Sequence, residues 1–352
     1  MKALVYKGPW EMALEEFPDP TPSDGEALLQ MEAVGICGSD VHGFTGESGR
    51  RKPGMVMGHE IAGRVLEVNG ISNGVQPGDL VAVYNNQACG QCPHCLAGQE
   101  QRCGKRHVIG VNAGTWGAMA DYLACPTRLL FPMNEGIDPA YALFAEPVAV
   151  ALHAIKLMEP RQEDIIAIVG SGTIGLGLVM TLKAKGFEHV FALDVLDEKL
   201  ELAAAMGAHP IRADLVDARE EIRRVTDGGE ADGVFEAVGT ADTVRNAFDL
   251  LRTAGSLVII GNLAQTFTLP LQGITDREIT VRGSYGFNRQ EFSGAVELIN
   301  QDVIALDPLI SGQCTLEETP EIMTRLAKGE LQAVKMVIRY SSLSPVKHKQ
   351  TT

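Results

Sequence analysis

The sequence predicts an α/β protein in two parts, a β-rich unit followed by a doubly wound parallel sheet. Three observations predict it. Residues 1–150 carry short β-prone segments broken by Gly and Pro, strands alternate with helices from about Arg161, and a mixed pattern returns after Gly283. At 352 residues two domains is the natural expectation, and 45% hydrophobic against 21% charged residues supplies material for both cores.

In the first part, residues 27–34, 60–68 and 79–84 read as strands, the last announced by the turn Gln76-Pro77-Gly78. Such spacing suits a barrel-like or irregular all-β unit. In the second part, the apolar run 165–169 ends in Gly170, and a helix over 173–185, a strand over 190–193 and a helix over 197–206 follow. A strand at 233–235, a helix at 243–251 and strands at 256–260 and 279–282 continue the alternation. The expected domains are therefore 1–155, completed by a returning segment 289–352, and 156–288. The polar tail 341–352 is expected to fray.

Charge narrows the function classes. Thirty Lys and Arg against 45 Asp and Glu give −15, which disfavours nucleic acid and anionic membranes as partners. No uninterrupted apolar run approaches the ~18 residues of a membrane span, and the opening MKALVYKGPW shows no signal peptide. A cytoplasmic location follows by default, and its reducing poise argues against disulfides. Of seven cysteines, five fall at metal-ligand positions, leaving Cys125 and Cys314 as small buried hydrophobes.

Gly170-Ser171-Gly172-Thr173-Ile174-Gly175 matches G-x-G-x-x-G, follows an apolar strand and opens a helix. Its glycines permit a tight turn and close backbone approach, so a pyrophosphate rests on the helix N-terminus. Asp194, nineteen positions beyond the last glycine, ends the next strand where a carboxylate binds the adenosine ribose. A carboxylate repels the 2′-phosphate of NADP, and Val195-Leu196 offers no arginine to attract it. Lys199, the nearest cation in sequence, can bond the ribose. NAD is favoured.

Cys89, Cys92, Cys95 and Cys103 place four thiols within fifteen residues, a spacing that suits a closed structural Zn²⁺ site. His94 lies inside the loop, but four thiolates already suffice. Cys37 and His59-Glu60 offer a thiolate, an imidazole and a carboxylate without a fourth partner of the same kind. That is the composition of an open, catalytic site.

The segments Gly35-Ile36-Cys37-Gly38-Ser39-Asp40-Val41-His42 and Gly58-His59-Glu60, the cysteine quartet, Ala145-Glu146-Pro147 and the glycine fingerprint occur in this order. Together they resemble the zinc-dependent medium-chain dehydrogenase/reductase family, in its polyol (sorbitol-type) and threonine dehydrogenase branch. The resemblance covers essentially the whole chain. It implies a GroES-like β-rich catalytic domain beside a Rossmann domain, with the active site in the cleft between them. It also implies Cys37 and His59 as catalytic zinc ligands, with Glu60 ligating directly or through water. Glu146 stands where simple alcohol dehydrogenases carry a second ligating cysteine; in the polyol branch it binds the metal or its water.

Two Zn²⁺ per chain follow, one catalytic and one structural, with NAD as the redox partner. The implied reaction is oxidation of a secondary alcohol to the ketone, zinc acidifying the hydroxyl and NAD taking the hydride. Ser39 matches a hydroxyl beside the substrate oxygen, and His42 the outer member of a proton relay. The family also implies a homodimer or homotetramer.

The substrate is less legible. A small-molecule polyol or sugar alcohol leads, followed by a phosphorylated or otherwise anionic sugar derivative and a hydroxy amino acid such as threonine. Gly43 stands where polyol dehydrogenases often carry an aromatic residue, which implies a wider pocket or one filled by Phe44. Arg50-Arg51-Lys52 reads first as three exposed loop cations and second as an anion clamp. Trp116, Asn85 and Asn86 are further lining candidates. A non-catalytic zinc-scaffolded NAD-binding protein would lack Cys37, His59 or the carboxylates, and all are present.

Overall fold

The computed structural model describes residues 1–114 and 116–340, so the tail 341–352 lies outside the described residues. By contacts the chain divides into two compact units. One comprises Met1–Gln87, His107–Leu143 and Gly312–Thr352; the other comprises Ala88–Arg106 and Phe144–Ser311. These boundaries differ from the expected 155/156 and 288/289. Helix Arg289–Asn300 packs on helix Ala145–Met158, which draws both into the second unit. The cysteine segment joins them: Asn288 Nδ2 donates to the Gly98 carbonyl at 2.8 Å, and Arg106 lies over the Tyr285 ring at 4.6 Å.

The first unit is built on a sheet whose strand order is Ile310–Cys314, Lys335–Arg339, Glu26–Ile36, Glu60–Asn69, Leu80–Val83 and Leu130–Pro132. Tyr122–Pro126 also pairs with the central strand Glu26–Ile36. That strand is antiparallel to both neighbours, with Met336 opposite Ile36 and Glu60 opposite Gly35. Strand Glu60–Asn69 begins with four buried residues and ends alternating half-buried and exposed. Its start therefore lies in the core, and this is where His59 and Glu60 enter. Sequence expectation and structure agree on the strands at 27–34, 60–68 and 79–84 to within two residues at each end.

The second unit holds a six-stranded, all-parallel sheet ordered His209–Arg212, Val190–Asp194, Ile166–Val169, Ala231–Glu236, Leu251–Ile259 and Thr280–Gly283. The order is third-second-first-fourth-fifth-sixth along the chain, that of the Rossmann fold, whose crevice opens where the order reverses. Strand Ile166–Val169 is buried at every residue, as a parallel strand covered on both faces must be. Helix Thr173–Ala184 starts directly after the glycine turn. The strand His209–Arg212 and the helix Ala218–Val225, capped by Asp217, were not among the expected elements.

Pro139–Met158 is long and apolar enough to cross a membrane by composition, yet 61% of its most apolar window is buried, as in a core helix.

Candidate active site and dinucleotide site

Cys37 precedes helix Gly38–Phe44 as its N-cap residue, and His59 precedes the strand that Glu60 begins. One ligand-type atom from each of Cys37, His59 and Glu60 lies within 4.8 Å of the other two. Two charged partners organise this group. Asp40 Oδ2 accepts the Cys37 N–H at 3.3 Å, and Asp40 Oδ1 stands 3.3 Å from His59 Nδ1, an ion-pair distance without good hydrogen-bond geometry. Burial pushes the Asp40 carboxyl up, but His59 and Arg51 outweigh it and hold it at about 2. Burial likewise lowers His59, while Asp40 and the Cys37 thiol raise it further, leaving it well above its ordinary value. Asn85 Nδ2 donates to the His59 carbonyl at 3.0 Å and fixes the backbone there.

Glu60 has its own counter-ion. Lys335 Nζ donates to both Glu60 oxygens at 2.6 Å, and the two side chains are each 1% exposed. They come from strands on either side of Glu26–Ile36, and they meet because Gly35 stands between them. A Cβ on Gly35 would collide with Glu60 Oε2. Lys335 was not legible as a site residue; its only signal is a lysine directly before the apolar run 336–338.

Ser39 Oγ lies 3.5 Å from His59 Nε2, and Ser39 is exposed. His42 Nδ1 pairs with Glu47 Oε2 at 2.8 Å. Glu146 occupies the first turn of helix Ala145–Met158, in the second unit. Arg51 departs from the reading of three exposed loop cations: it is buried and pairs with Asp40 at 3.0 Å. Among the other lining candidates, Asn86 Nδ2 bonds the Tyr84 hydroxyl at 3.2 Å, and Trp116 packs edge-on against Phe17.

The four cysteines form a second group, with all sulfurs within 4.8 Å; His94 is exposed and outside it. Cys92 and Cys95 sulfurs are 3.5 Å apart, and Cys89 and Cys95 sulfurs 3.9 Å. Backbone N–H groups of Gln91 and Cys92 lower the Cys89 thiol to about 6, whereas burial and the neighbouring thiols push Cys95 up to about 12. One readily formed thiolate beside a thiol that resists ionisation is a set that a cation completes.

At the dinucleotide site, Gly170 adopts φ +97° and Gly175 faces the Gly170 carbonyl so closely that a Cβ would collide with it. A Cβ on Gly172 would meet nothing within 4 Å, so the turn is open on the side a pyrophosphate approaches. Thr173 and Ile174 begin the helix. Asp194 Oδ2 accepts the Ser171 N–H at 2.8 Å, Oδ1 accepts those of Val195 and Leu196, and Lys199 Nζ is 3.8 Å away. An arginine is nearer than the sequence suggested. Arg212, on the neighbouring strand, is in register with Asp194 but held by Asp197 at 2.6 Å and by Asp214 at 2.9 and 3.0 Å.

A family model described as "Alcohol dehydrogenase GroES-like domain" matches residues 23–135, and one described as "Zinc-binding dehydrogenase" matches 173–301. The erythritol/L-threitol dehydrogenase of Mycolicibacterium smegmatis is 33% identical over 345 residues, covering 94% of this chain and 95% of its own. The chain belongs to the zinc-dependent medium-chain dehydrogenase/reductase family, in its polyol dehydrogenase branch. Two solved structures share the fold closely. A protein of Sinorhizobium meliloti 1021 with NADP bound gives a TM-score of 0.88 at 29% identity, covering 96% of this chain and 99% of its own. An alcohol dehydrogenase of Escherichia coli CFT073 complexed with NADH gives 0.87 at 26% identity, covering 97% and 99%.

This dehydrogenase is thus an oxidoreductase whose own donor atoms fit the groups its family uses. A thiol, an imidazole and a carboxylate converge in the first unit, four thiols converge in the second, and the glycine turn donates its Ser171 N–H to the Asp194 carboxylate.

Proposed function

We propose that this dehydrogenase oxidises a secondary alcohol of a polyol or sugar alcohol to the ketone, using zinc and NAD. The observation that carries the reading is the convergence of Cys37, His59 and Glu60 within 4.8 Å, with the Ser39 hydroxyl beside His59. When bound, zinc supplies Lewis acidity to the substrate hydroxyl and NAD⁺ accepts hydride. Cys37 and His59 would hold the metal, and by resemblance to the family Glu60 and Glu146 would share the remaining position with water and substrate. Ser39 takes the hydroxyl proton and His42 passes it to solvent, so the balance is alcohol plus NAD⁺ giving ketone, NADH and one proton. The cysteine quartet holds a second, structural zinc.

Similarity to an erythritol/L-threitol dehydrogenase supports a vicinal polyol. The anionic-substrate alternative loses one of its two candidate clamps, because Arg51 is buried against Asp40. The cofactor is NAD, bound at Gly170, Gly172, Thr173, Ile174, Gly175, Asp194 and Lys199. The chain functions as a cytoplasmic homodimer or homotetramer; among the described residues Thr280–Gly283 is an edge strand of its sheet, a place where a second copy can add. The proposed domain division near 155/156, with the segment beyond 289 returning to complete the catalytic half, follows the order of motifs, whereas packing alone groups Arg289–Asn300 with Ala145–Met158.

A panel of polyols and sugar phosphates followed by NADH absorbance tests the substrate class, and metal analysis tests the sites. Turnover of polyols with two zincs per chain is expected; no turnover, or one zinc or none, removes the catalytic assignment. Ser39→Ala lowers turnover at full zinc content, and unchanged kinetics would sink the relay.

A further inference from the structure

Arg51 is the side chain whose position the proposed reaction leaves unexplained. It lies in a run of three cations, yet it is only 5% exposed. Its Nη2 donates to Asp40 Oδ1 at 3.0 Å and its Nη1 to the Val111 carbonyl at 3.1 Å, while its buried Nε has no partner. The stem reaches this place by passing Gly43. A Cβ there would lie 2.5 Å from Arg51 Cγ, so the missing side chain is a passage filled by arginine and not a wider substrate pocket.

The far end of that passage is Asp40, itself 0% exposed. Its carboxylate grips both ends of the candidate metal group: Oδ2 takes the Cys37 N–H, and Oδ1 faces His59 Nδ1. With the guanidinium on Oδ1 and the Cys37 N–H on Oδ2 both carboxylate oxygens are held, whereas without Arg51 only the long Cys37 hydrogen bond remains to orient the group. Outer partners of this kind fix the ring orientation of a ligating histidine.

We infer that Arg51 is a positioning residue for the open metal site, acting through Asp40 on His59 and Cys37 and made possible by Gly43. The inference rests on the assignment of Cys37 and His59 as ligands. A bland reading, that Arg51 only ties the 107–112 segment to helix Gly38–Phe44, predicts lost stability without any change at the metal. The two readings separate experimentally.

The test uses the purified, metal-loaded full chain and follows zinc release to a chromophoric chelator, where fast and slow phases report the two sites. Arg51→Met releases the open-site metal about 10–100-fold faster, with release from the cysteine quartet unchanged. Asp40→Asn does the same, and the double variant is no worse than either single one. Arg51→Lys restores part of the retention, because lysine keeps the charge but cannot bond Asp40 and Val111 together. With cobalt at the open site, Arg51→Met alters the visible absorption bands, a change that a purely structural brace does not produce. If Arg51→Met does not fold, Gly43→Ala replaces it, displacing the arginine stem without removing charge, and it also speeds open-site release. Release rates and cobalt spectra equal to wild type in the folded variant overturn the inference alone. A wild-type chain with metal only in the quartet overturns the ligand assignment, and the inference with it.

Discussion

The two metal-type groups of this dehydrogenase are built in opposite ways. The cysteine quartet comes from one fifteen-residue segment, and three of its four residues are half-buried. Cys37 and the contiguous pair His59-Glu60 come from different segments, and Asp40 and Glu60 each hold a buried cation from elsewhere in the sequence. Lys335 reaches Glu60 across 275 residues of sequence, and Arg51 reaches Asp40 through a glycine gap. A local thiolate set is completed by its metal, which brings its own folding energy. An assembled set is organised by the protein before any metal arrives, and glycines at 35 and 43 are the openings through which its charges meet. The first arrangement suits permanence. The second suits a site that must exchange ligands.

Removing a ligand from each group is the largest test of that contrast. Cys37→Ser abolishes turnover and lowers zinc from two per chain to one, with the fold retained by circular dichroism. Cys92→Ser also lowers zinc to one, but faster hydrogen exchange is confined to the segment Ala88–Arg106, and part of the turnover survives. If the two variants give the same exchange map, the distinction between local and assembled sites fails.

The Glu60–Lys335 pair gives the next effect in size. Lys335→Met leaves a buried carboxylate without its counter-ion, which costs about 3–5 kcal/mol in metal-free protein by denaturant unfolding. Zinc reduces that loss if Glu60 then turns to the metal, so comparing loaded and metal-free chains measures the exchange directly. An equal loss in both states means Glu60 does not become a ligand. Gly35→Ala, whose Cβ would collide with Glu60 Oε2, behaves like Lys335→Met.

The same contrast explains what could be read from the sequence. The parallel sheet was legible because each strand and helix carries its own periodicity, and the glycine turn and quartet are contiguous strings. Cys37, His59 and Glu60 were recognisable only through the order of motifs along the whole chain. Lys335, Asp40 as their organiser, and the burial of Arg51 were not legible, since each acquires its role from strand pairing or a missing Cβ. The strand His209–Arg212 escaped notice because it is four residues long and contains Pro210, which weakens any strand signal.

That missed strand carries the smallest predicted effect, and the dinucleotide site then becomes a third case between local and assembled. Asp194 is a contiguous reading: its carboxylate is fixed by the N–H groups of Ser171, Val195 and Leu196, where it would repel a 2′-phosphate. Arg212 is an assembled feature, in register with Asp194 but engaged by Asp197 and Asp214. Fluorescence titration with NADH and NADPH measures the balance. Asp194→Ser removes repulsion and admits NADPH weakly, because Arg212 remains held on two sides. Adding Asp197→Asn releases one side of the guanidinium and strengthens NADPH binding by about tenfold more. If Asp194→Ser alone gives the full change, the restraint on Arg212 plays no part and the contiguous reading suffices. If wild type binds both cofactors equally, Asp194 does not select between them.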